Sequence, residues 1–467
     1  MKHITKLLAR ITFFILLISA VSCDLNITGY FSADASSAKL LAIGMDYTNS
    51  KAASYLSGTI NDVYDIAAVF NEIMGNKNVR LETEYLVQEG HEILFEVKCL
   101  QYITATAKRV TAILEDTAPT PSGIEKYYNS DGECVVRAFV DSEKTAVNVK
   151  TALEAELKDA VSIQYASIRN SSHYPTSTNI LKAVQDASKL EENELFIVYY
   201  TGHGISFNSI PNSDFEPIIR KYLDNGSLTQ EQFDILNSLT IKSATEINLV
   251  LDKLAVPKEP YNSIVLDCNA YLKNHTNLKG AFITAPYYDW EYYGLLEMET
   301  LYKELSKLKC KVVLIVDACY SGFTNGGTFG GITLLESFSS FMQSADYPNV
   351  VALCASAKTE TSKIAAVLTE ENDIQRHSMF TKEILSELGW KHSTNFKTYI
   401  SVPRVTINED GSLAENETYL RTIDGYLNKI PSRITATELF DNVMSDWQGV
   451  EQTPERNTSG YEICIVP

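Results

Sequence analysis

The chain has 467 residues, of which 45% are aliphatic, aromatic or Cys and 21% are charged. This composition provides enough apolar material for a large core, and it excludes a wholly disordered chain, a collagen, a coiled coil and a Cys-stapled miniprotein. The formal net charge is −19, from 40 basic and 59 acidic residues. Because such a surface repels phosphate backbones, nucleic acid is not expected as a partner, whereas cationic substrates are compatible.

The first 22 residues have the pattern of a signal peptide. A basic segment precedes an apolar run at 11–21, which is shorter than the roughly 20 residues needed to span a bilayer. The sequence AVSC that ends at Cys23 resembles the lipobox of bacterial lipoproteins, in which the Cys is lipid-modified and becomes the new N-terminus. An ordinary signal peptidase would cut the same bond. We therefore expect residues 1–22 to be removed and 23–38 to form a tether, with lipid anchoring at Cys23 in the cell envelope favoured over simple secretion.

Apolar runs alternate with segments of helical spacing along most of the remaining chain. The pattern predicts strands at 39–45, 194–200, 311–316 and 350–355, and helices at 63–75, 178–190, 298–308 and 379–388. Continuous apolar strands that alternate with helices are typical of a parallel sheet covered on both faces. We therefore predict an α/β fold, a three-layer sandwich with a mainly parallel sheet flanked by helices.

Two segments interrupt this pattern and are interpreted as insertions in one domain over 39–467. Residues 76–160 have strand-like and helix-like runs and predict an α+β insertion, whereas residues 208–260 predict a mostly helical one. The first insertion contains Cys99 and Cys134, which could form a disulfide in an oxidising compartment or remain free buried thiols.

Two of the predicted strands are each followed by a reactive residue. His203 lies in TGHG after the strand at 194–200, and Cys319 lies in DACYSG after the strand at 311–316. In open α/β sheets, functional sites form beyond the carboxyl ends of the strands. A thiol needs a base to become a thiolate at neutral pH, and nearby glycines leave backbone N–H groups free to hold an oxyanion. The pattern therefore predicts a Cys nucleophile with a His base.

Several ordered blocks resemble those of the caspase–metacaspase peptidases. YYTGHG (199–204) and VDACYSG (316–322) are similar to that family's His and Cys blocks, and LAIGMDY with LSGTINDV (within 41–63) is similar to its opening block. Further blocks at 349–356 and 378–385 are similar to its C-terminal part. The resemblance covers about 39–75, 161–207 and 261–467, and it implies a caspase-like fold.

The resemblance also implies a cysteine endopeptidase mechanism. Cys319 would attack the peptide carbonyl, and His203 would act as the acid/base that protonates the leaving amine. The backbone N–H groups of Gly204 and Cys319 would form the oxyanion hole, and the acyl-enzyme would then be hydrolysed. No third catalytic side chain is identifiable from the sequence.

The pocket for the residue before the scissile bond, P1, is implied in the same way. Caspases cut after Asp and have Gln two residues before the Cys, whereas metacaspases have Asp there and bind basic side chains; this chain has Asp317. Asp62 matches a second pocket carboxylate, and Thr59 and Thr201 match other lining positions. We therefore expect cleavage after Arg or Lys. The alternative interpretations are a strand-end cap for Asp317 and a helix N-cap for Asp62.

No metal or other cofactor is predicted. The chain lacks CxxC and HExxH spacing, and Gly326 occupies the position of an acidic calcium-binding residue found in many metacaspases. No Lys or Arg occurs between Cys319 and Ala357. An enzyme specific for basic residues could not cut itself there, so we expect an unsplit catalytic chain.

Two other interpretations remain open at this stage. One is a catalytically silent binding or scaffold protein on a caspase-like fold. The other is a clostripain-like or legumain-like peptidase, which shares the His-Gly step and the strand followed by Cys. The partners implied by the favoured interpretation are a peptide or protein substrate with a basic P1 residue and, through the lipid anchor, a membrane.

Overall fold

The computed structural model describes most of the chain, apart from its first 36 residues and several internal segments. The described residues are 37–48, 50, 53–119, 121–239, 241–275, 277–286, 294–318, 349–356, 364–369, 374–447, 452–456 and 463–467. The signal segment and nearly all of the tether, with Cys23, therefore lie outside the described residues, as do Cys319 and Gly326.

Strands and helices alternate through the described residues. The strands are β1 (Ser37–Met45), β2 (Arg80–Gln88), β3 (Ile93–Cys99), β4 (Ser122–Tyr128), β5 (Cys134–Val140), β6 (Val161–Ser167), β7 (Leu195–Gly202), β8 (Gly204–Asn208), β9 (Leu278–Thr284), β10 (Gly294–Glu297), β11 (Lys311–Ala318), β12 (Val350–Cys354), β13 (Ile364–Leu368), β14 (Ile374–Ser378), β15 (Trp390–Ile407), β16 (Leu413–Leu427), β17 (Ile434–Thr435), β18 (Glu455–Arg456) and β19 (Cys464–Val466). The helices are α1 (Thr59–Asn76), α2 (Ile103–Thr117), α3 (Glu143–Leu157), α4 (Ser177–Asp186), α5 (Asn212–Asp224), α6 (Gln230–Ser238), α7 (Ala244–Lys253), α8 (Lys258–Asn274), α9 (Met298–Ser306), α10 (Met379–Glu387) and α11 (Ala436–Asp446).

A six-stranded central sheet organises the molecule, in the order β18-β12-β11-β7-β1-β2. The pairs β2–β1, β1–β7, β7–β11 and β11–β12 are parallel, and the short β18 at the edge is antiparallel to β12. The predicted α/β fold with a mainly parallel sheet is therefore confirmed. The predicted strands at 39–45, 194–200, 311–316 and 350–355 are β1, β7, β11 and β12.

The core consists of one apolar layer on each face of this sheet. On one face, Ile197 and Tyr199 of β7 pack with α1, α10 and α11, and on the other, Phe196 and Val198 pack with α4 and α9. All four side chains are fully buried. Burying both faces explains why these strands are apolar throughout instead of alternating. Each such side chain contributes roughly 1.5–3 kcal/mol to folding relative to its exposed state.

The first insertion is a small α/β layer with a core of its own. Strands β4-β5-β3-β6 form an antiparallel sheet, and α2 and α3 cover it around Phe95 and Val136. The predicted boundaries 76–160 were wrong, because β2 pairs with β1 in the central sheet and β6 pairs with β3 as far as Ser167. Helix α2 was not predicted. Cys99 and Cys134 are free, buried thiols in this structure.

The second insertion is a group of four helices between the strands of a hairpin. Strands β8 and β9 pair antiparallel, and helices α5 to α8 connect the end of β8 to the start of β9. At this connection the Ser209 N–H donates to the Asn277 carbonyl at 3.0 Å. Phe215, Leu236 and Leu251 are buried in the core of this group. The predicted range 208–260 was too short, because α8 continues to Asn274.

A long hairpin of β15 and β16 was not predicted from the sequence. It places Ile400, Val402 and Ile423 against α1 as part of the core, while its other face is exposed and carries Tyr399 and Leu420 among polar residues. The Pro at 403 and the polar residues that alternate with the core residues concealed these strands, because a two-stranded hairpin that packs on the core needs only one apolar face.

Helix α1 begins four residues before the predicted position 63. Gly58 precedes it without a side-chain cap, so Asp62 lies inside the first turns of the helix and is not its N-cap. Within the described part of the chain, no helix is long and apolar enough to cross a membrane.

Candidate active site

The structure brings the ends of two predicted strands together. Strands β7 and β11 pair in parallel, with Gly202 opposite Ala318 in the last step of the register. His203 is the residue after Gly202, and Cys319 is the residue after Ala318. Cys319 itself lies outside the described residues. The site is therefore described from His203 and its surroundings.

A backbone carbonyl orients the His203 ring. Its Nε2–H donates to the Ser54 carbonyl at 2.7 Å, and the Ser54 hydroxyl lies 3.3 Å from the same nitrogen. This bond selects the tautomer with the proton on Nε2, so Nδ1 carries the lone pair that can accept a proton. Burial lowers the pKa of His203, and the Ser54 bond opposes that effect only in part. The imidazole is thus suited to act as a neutral base.

Two tyrosines fix the backbone around His203. The His203 N–H donates to the Tyr47 hydroxyl at 2.7 Å, and the Tyr200 hydroxyl donates to the His203 carbonyl at 3.1 Å. Both hydroxyls also lie close to the Ile283 carbonyl, at 2.8 and 3.0 Å. A Cβ at position 202 would lie 2.5 Å from the Tyr47 hydroxyl, which explains the glycine there. Both backbone groups of His203, the N–H and the carbonyl, are therefore fixed at the end of β7 by tyrosine hydroxyls.

The geometry around Gly204 suits the predicted oxyanion role. The Ile283 N–H donates to the His203 carbonyl at 3.0 Å. His203 and Ile283 are therefore opposed as a hydrogen-bonded pair that extends the antiparallel β8–β9 ladder. Gly204 and Phe282 are the next pair and occupy the non-hydrogen-bonded position. The N–H of Gly204 consequently points away from β9.

Asp62 is fully buried and binds residues at the start of α10. Its oxygens accept from the Ser378 hydroxyl at 2.7 Å and from the Ser378 N–H at 3.2 Å. They also accept from the Thr201 hydroxyl at 3.3 Å, and His377 Nδ1 lies 2.9 Å from Oδ1. Burial disfavours the charged form of His377, but the hydrogen bond and the charge of Asp62, with Asp65, raise the pKa of His377. The N-cap interpretation of Asp62 was wrong for α1, because its hydrogen-bond partners lie in β7 and at the end of β14, where Ser378 precedes α10.

Asp317 binds the same helix from the neighbouring strand. Its Oδ2 accepts from the Thr381 N–H at 3.0 Å and from the Thr381 hydroxyl at 2.7 Å, and its side chain is only 2% exposed. Thr381 is the third residue of α10, whose first N–H groups have no partner within the helix. The two carboxylates predicted to form a substrate pocket therefore also hold the N-terminus of α10, where negative charge is stabilising.

The two predicted threonines are buried beside these carboxylates. Thr59 donates to the Met45 carbonyl at 2.7 Å and joins the first residue of α1 to the end of β1. Thr201 is fully buried and links β7 to Asp62. The structure thus brings Asp62, Asp317 and Thr201 together at the ends of β7 and β11.

Three contributors to this site were not identified from the sequence. Ser54 acts through its backbone carbonyl, which carries no residue-specific signal. Tyr47 was not singled out within the LAIGMDY block, although its position after an apolar strand is a usable signal. His377 lies in a polar segment before α10, and no pattern connects it with Asp62.

The fold and this site define a class, the α/β proteins with a His-Gly step and a Cys motif at adjacent strand ends. The chain belongs to the caspase-domain peptidase family, whose family model matches residues 38–406. Family membership indicates a cysteine peptidase, a hydrolase of peptides or proteins. The comparison with curated proteins found no match.

One similar solved structure is a Geobacter sulfurreducens protein determined by structural genomics. It shares 11% sequence identity, the match covers 77% of this chain and 85% of that one, and the TM-score is 0.31. So low a TM-score adds nothing to the assignment, which depends on the family model.

Proposed function

We propose that this chain is a cysteine endopeptidase in which His203 and Cys319 form the catalytic dyad. The observation that carries the proposal is the register of β7 and β11, in which Gly202 lies opposite Ala318. Because consecutive Cα atoms are about 3.8 Å apart, this register supports a Cys319 that follows Ala318 close to His203. His203 is held by Ser54 with its Nδ1 lone pair available, as a base for a thiol requires.

The proposed reaction proceeds through an acyl-enzyme. The Cys319 thiol gives its proton to His203 Nδ1, and the thiolate attacks the peptide carbonyl carbon. The Gly204 and Cys319 N–H groups hold the oxyanion that forms. His203 then passes the proton to the leaving amine as the C–N bond breaks. Water, deprotonated by His203, hydrolyses the thioester and restores the thiol.

The proposed P1 residue is Arg or Lys. The support is the pair of carboxylates, Asp62 and Asp317, buried beneath the two strand ends. Their hydrogen bonds to Ser378 and Thr381 occupy several of their oxygen lone pairs. We therefore propose that the two charges attract a basic side chain through the low-dielectric protein more than through direct contact.

A panel of fluorogenic peptides tests this function. The purified chain is assayed on substrates that differ only in Arg, Lys, Asp or Ala at P1, with and without calcium. We expect cleavage after Arg or Lys, and loss of activity in Cys319→Ala and His203→Ala. Cleavage only after Asp would contradict the P1 proposal. Activity that survives Cys319→Ala would contradict the dyad, and an inert wild-type chain would favour the silent scaffold.

We also propose that the protein is exported and anchored by lipid at Cys23. The support is the basic segment, the short apolar run and the AVSC sequence before the predicted cut. Metabolic labelling with a palmitate analogue in a bacterial host tests this. We expect a labelled membrane-bound chain that becomes unlabelled in Cys23→Ser. Wild-type protein that is soluble in the medium would indicate simple secretion.

A further inference from the structure

A cluster of one carboxylate and two imidazoles lies inside the protein, behind the carboxylates of the candidate site. Asp65 of α1, His377 of β14 and His392 of β15 bring their ligand atoms within 4.8 Å of one another. Asp65 Oδ2 lies 3.6 Å from His377 Nε2 and 3.3 Å from His392 Nδ1. The cluster therefore joins one helix and two strands from distant parts of the sequence.

Two atoms of this cluster are buried and have no hydrogen-bond partner among the residues that the structure describes. They are Asp65 Oδ2 and His392 Nδ1. The side chains of Asp65, His377 and His392 are 6%, 0% and 8% exposed. A buried polar atom without a partner costs about 1–3 kcal/mol, more when it is charged. Their convergence on one point is the arrangement expected of a set of ligands for a shared ion.

One hydrogen bond of His377 is of the kind that a metal-binding His makes. Its Nδ1–H donates to Asp62 Oδ1 at 2.9 Å, so that in the neutral ring Nε2 would carry the lone pair; that nitrogen faces Asp65 and the Gln375 side chain. Metal-binding His residues commonly donate their other ring N–H to a carboxylate in this way. Asp62 would thus be the outer partner of the ligand His377.

The donor set and spacing suit zinc. Two imidazole nitrogens and one carboxylate oxygen are typical zinc ligands, whereas calcium and magnesium prefer oxygen alone. Ligands at about 2.0–2.1 Å in a tetrahedral shell lie about 3.3 Å apart, close to the two measured separations. The ion would also balance the charges of Asp62 and Asp65. The Gln375 side-chain oxygen, 3.4 Å from His377 Nε2, or a water would fill the fourth position.

We propose that Asp65, His377 and His392 form a zinc site that stabilises the frame of the candidate active site. The ion joins α1 to β14 and β15, on either side of α10. Through His377 it holds Asp62, which in turn binds Ser378 at the start of α10. Because all three ligands are buried, the ion is structural and does not contact substrate.

Zinc binding to the full chain tests the proposal independently of peptidase activity. Untagged protein with Cys319→Ala, which removes the proposed active-site thiol as a competing ligand, is treated with a chelator and titrated with zinc by calorimetry. We expect one zinc per chain. We expect Asp65→Asn and His392→Gln each to weaken binding by about 100-fold or more. The matched control is His275→Gln, an exposed His at the end of α8, which should leave binding unchanged.

X-ray absorption at the zinc edge identifies the ligands of zinc in the folded parent chain, so this test does not depend on whether the variants fold. We expect a shell of nitrogen and oxygen that includes two imidazoles. Sulfur in that shell, no stoichiometric zinc in the folded parent chain, or folded ligand variants that bind zinc as the parent does would each overturn the proposal.

Discussion

In the described part of the chain, the contacts that shape the proposed chemistry of His203 are those with Ser54 and Tyr47. The Ser54 carbonyl fixes the tautomer, Tyr47 holds the main-chain N–H, and burial lowers the pKa of the ring, which favours its neutral form. A neutral ring that leaves Nδ1 available can accept a thiol proton, which an imidazolium could not. The proposed chemistry of His203 therefore depends on the protonation state of its ring.

The protonation state of His203 can be measured directly. In Cys319→Ala, which leaves no thiol to couple with the ring, we expect the pKa of His203 to lie below its ordinary value of 6.5 because burial disfavours the charged form. Imidazole NMR chemical shifts against pH measure it, with exposed His275 as the internal reference. A His203 pKa above 6.5 would contradict the assigned burial and contacts.

At the scale of elements, the N-terminus of α10 determines how the buried carboxylates are arranged. Asp62 reaches it from α1 and Asp317 from β11, and both accept N–H groups that the helix leaves unpaired. A short helix with acidic partners at its N-terminus is stabilised by its dipole as well as by these bonds. The same two residues therefore have a structural role, whatever their effect on substrate.

Removing the charge of Asp317 should destabilise the protein. In Asp317→Asn, we expect the free energy of unfolding to fall by about 1–3 kcal/mol, because buried donors of Thr381 lose part of their acceptor. Urea denaturation followed by circular dichroism measures this. The control is Asp224→Asn near the end of α5, where we expect a change within about 0.5 kcal/mol. Equal stability of Asp317→Asn and the control would contradict the structural role.

The central strands could be predicted from the sequence because burial on both faces leaves an unbroken apolar run, as in β7 and β11. The hairpin of β15 and β16 could not, because only one of its faces enters the core. For Asp62, the sequence indicates a pocket carboxylate but not its hydrogen-bond partners, because Ser378 and His377 lie more than 300 residues away. Contacts between residues so far apart in the sequence produce no local sequence pattern.

At the scale of the whole molecule, two segments with buried cores of their own interrupt the strands and helices of the central sheet. The four helices α5 to α8 leave the β8–β9 hairpin and return to it, and Asn208 pairs with Leu278 at its open end. Their core does not share residues with the two layers of the central sheet. We therefore expect the hairpin and the central sheet to form without these helices.

Excision of the four helices tests this independence. We replace residues 209–277 by Asn-Gly, which forms a two-residue hairpin turn between antiparallel strands. We expect a folded chain whose central-sheet unfolding midpoint changes little, measured by circular dichroism during thermal unfolding. A matched excision of 211–275, with the same turn but with the Ser209–Asn277 bond kept, controls for the turn. Loss of folding in both would show that the helices are part of the core.

The central claim is that Cys319 is a nucleophile activated by His203, and its alkylation rate tests this most directly. Wild-type and His203→Ala chains are treated with iodoacetamide from pH 5 to 9, and each Cys is quantified by peptide mass spectrometry. We expect Cys319 to react at pH 6, well below the ordinary thiol pKa of about 8.5, and His203→Ala to abolish that reactivity. The six described cysteines are buried and should stay protected. An alkylation profile of Cys319 that follows an ordinary thiol and is the same in His203→Ala would contradict the account.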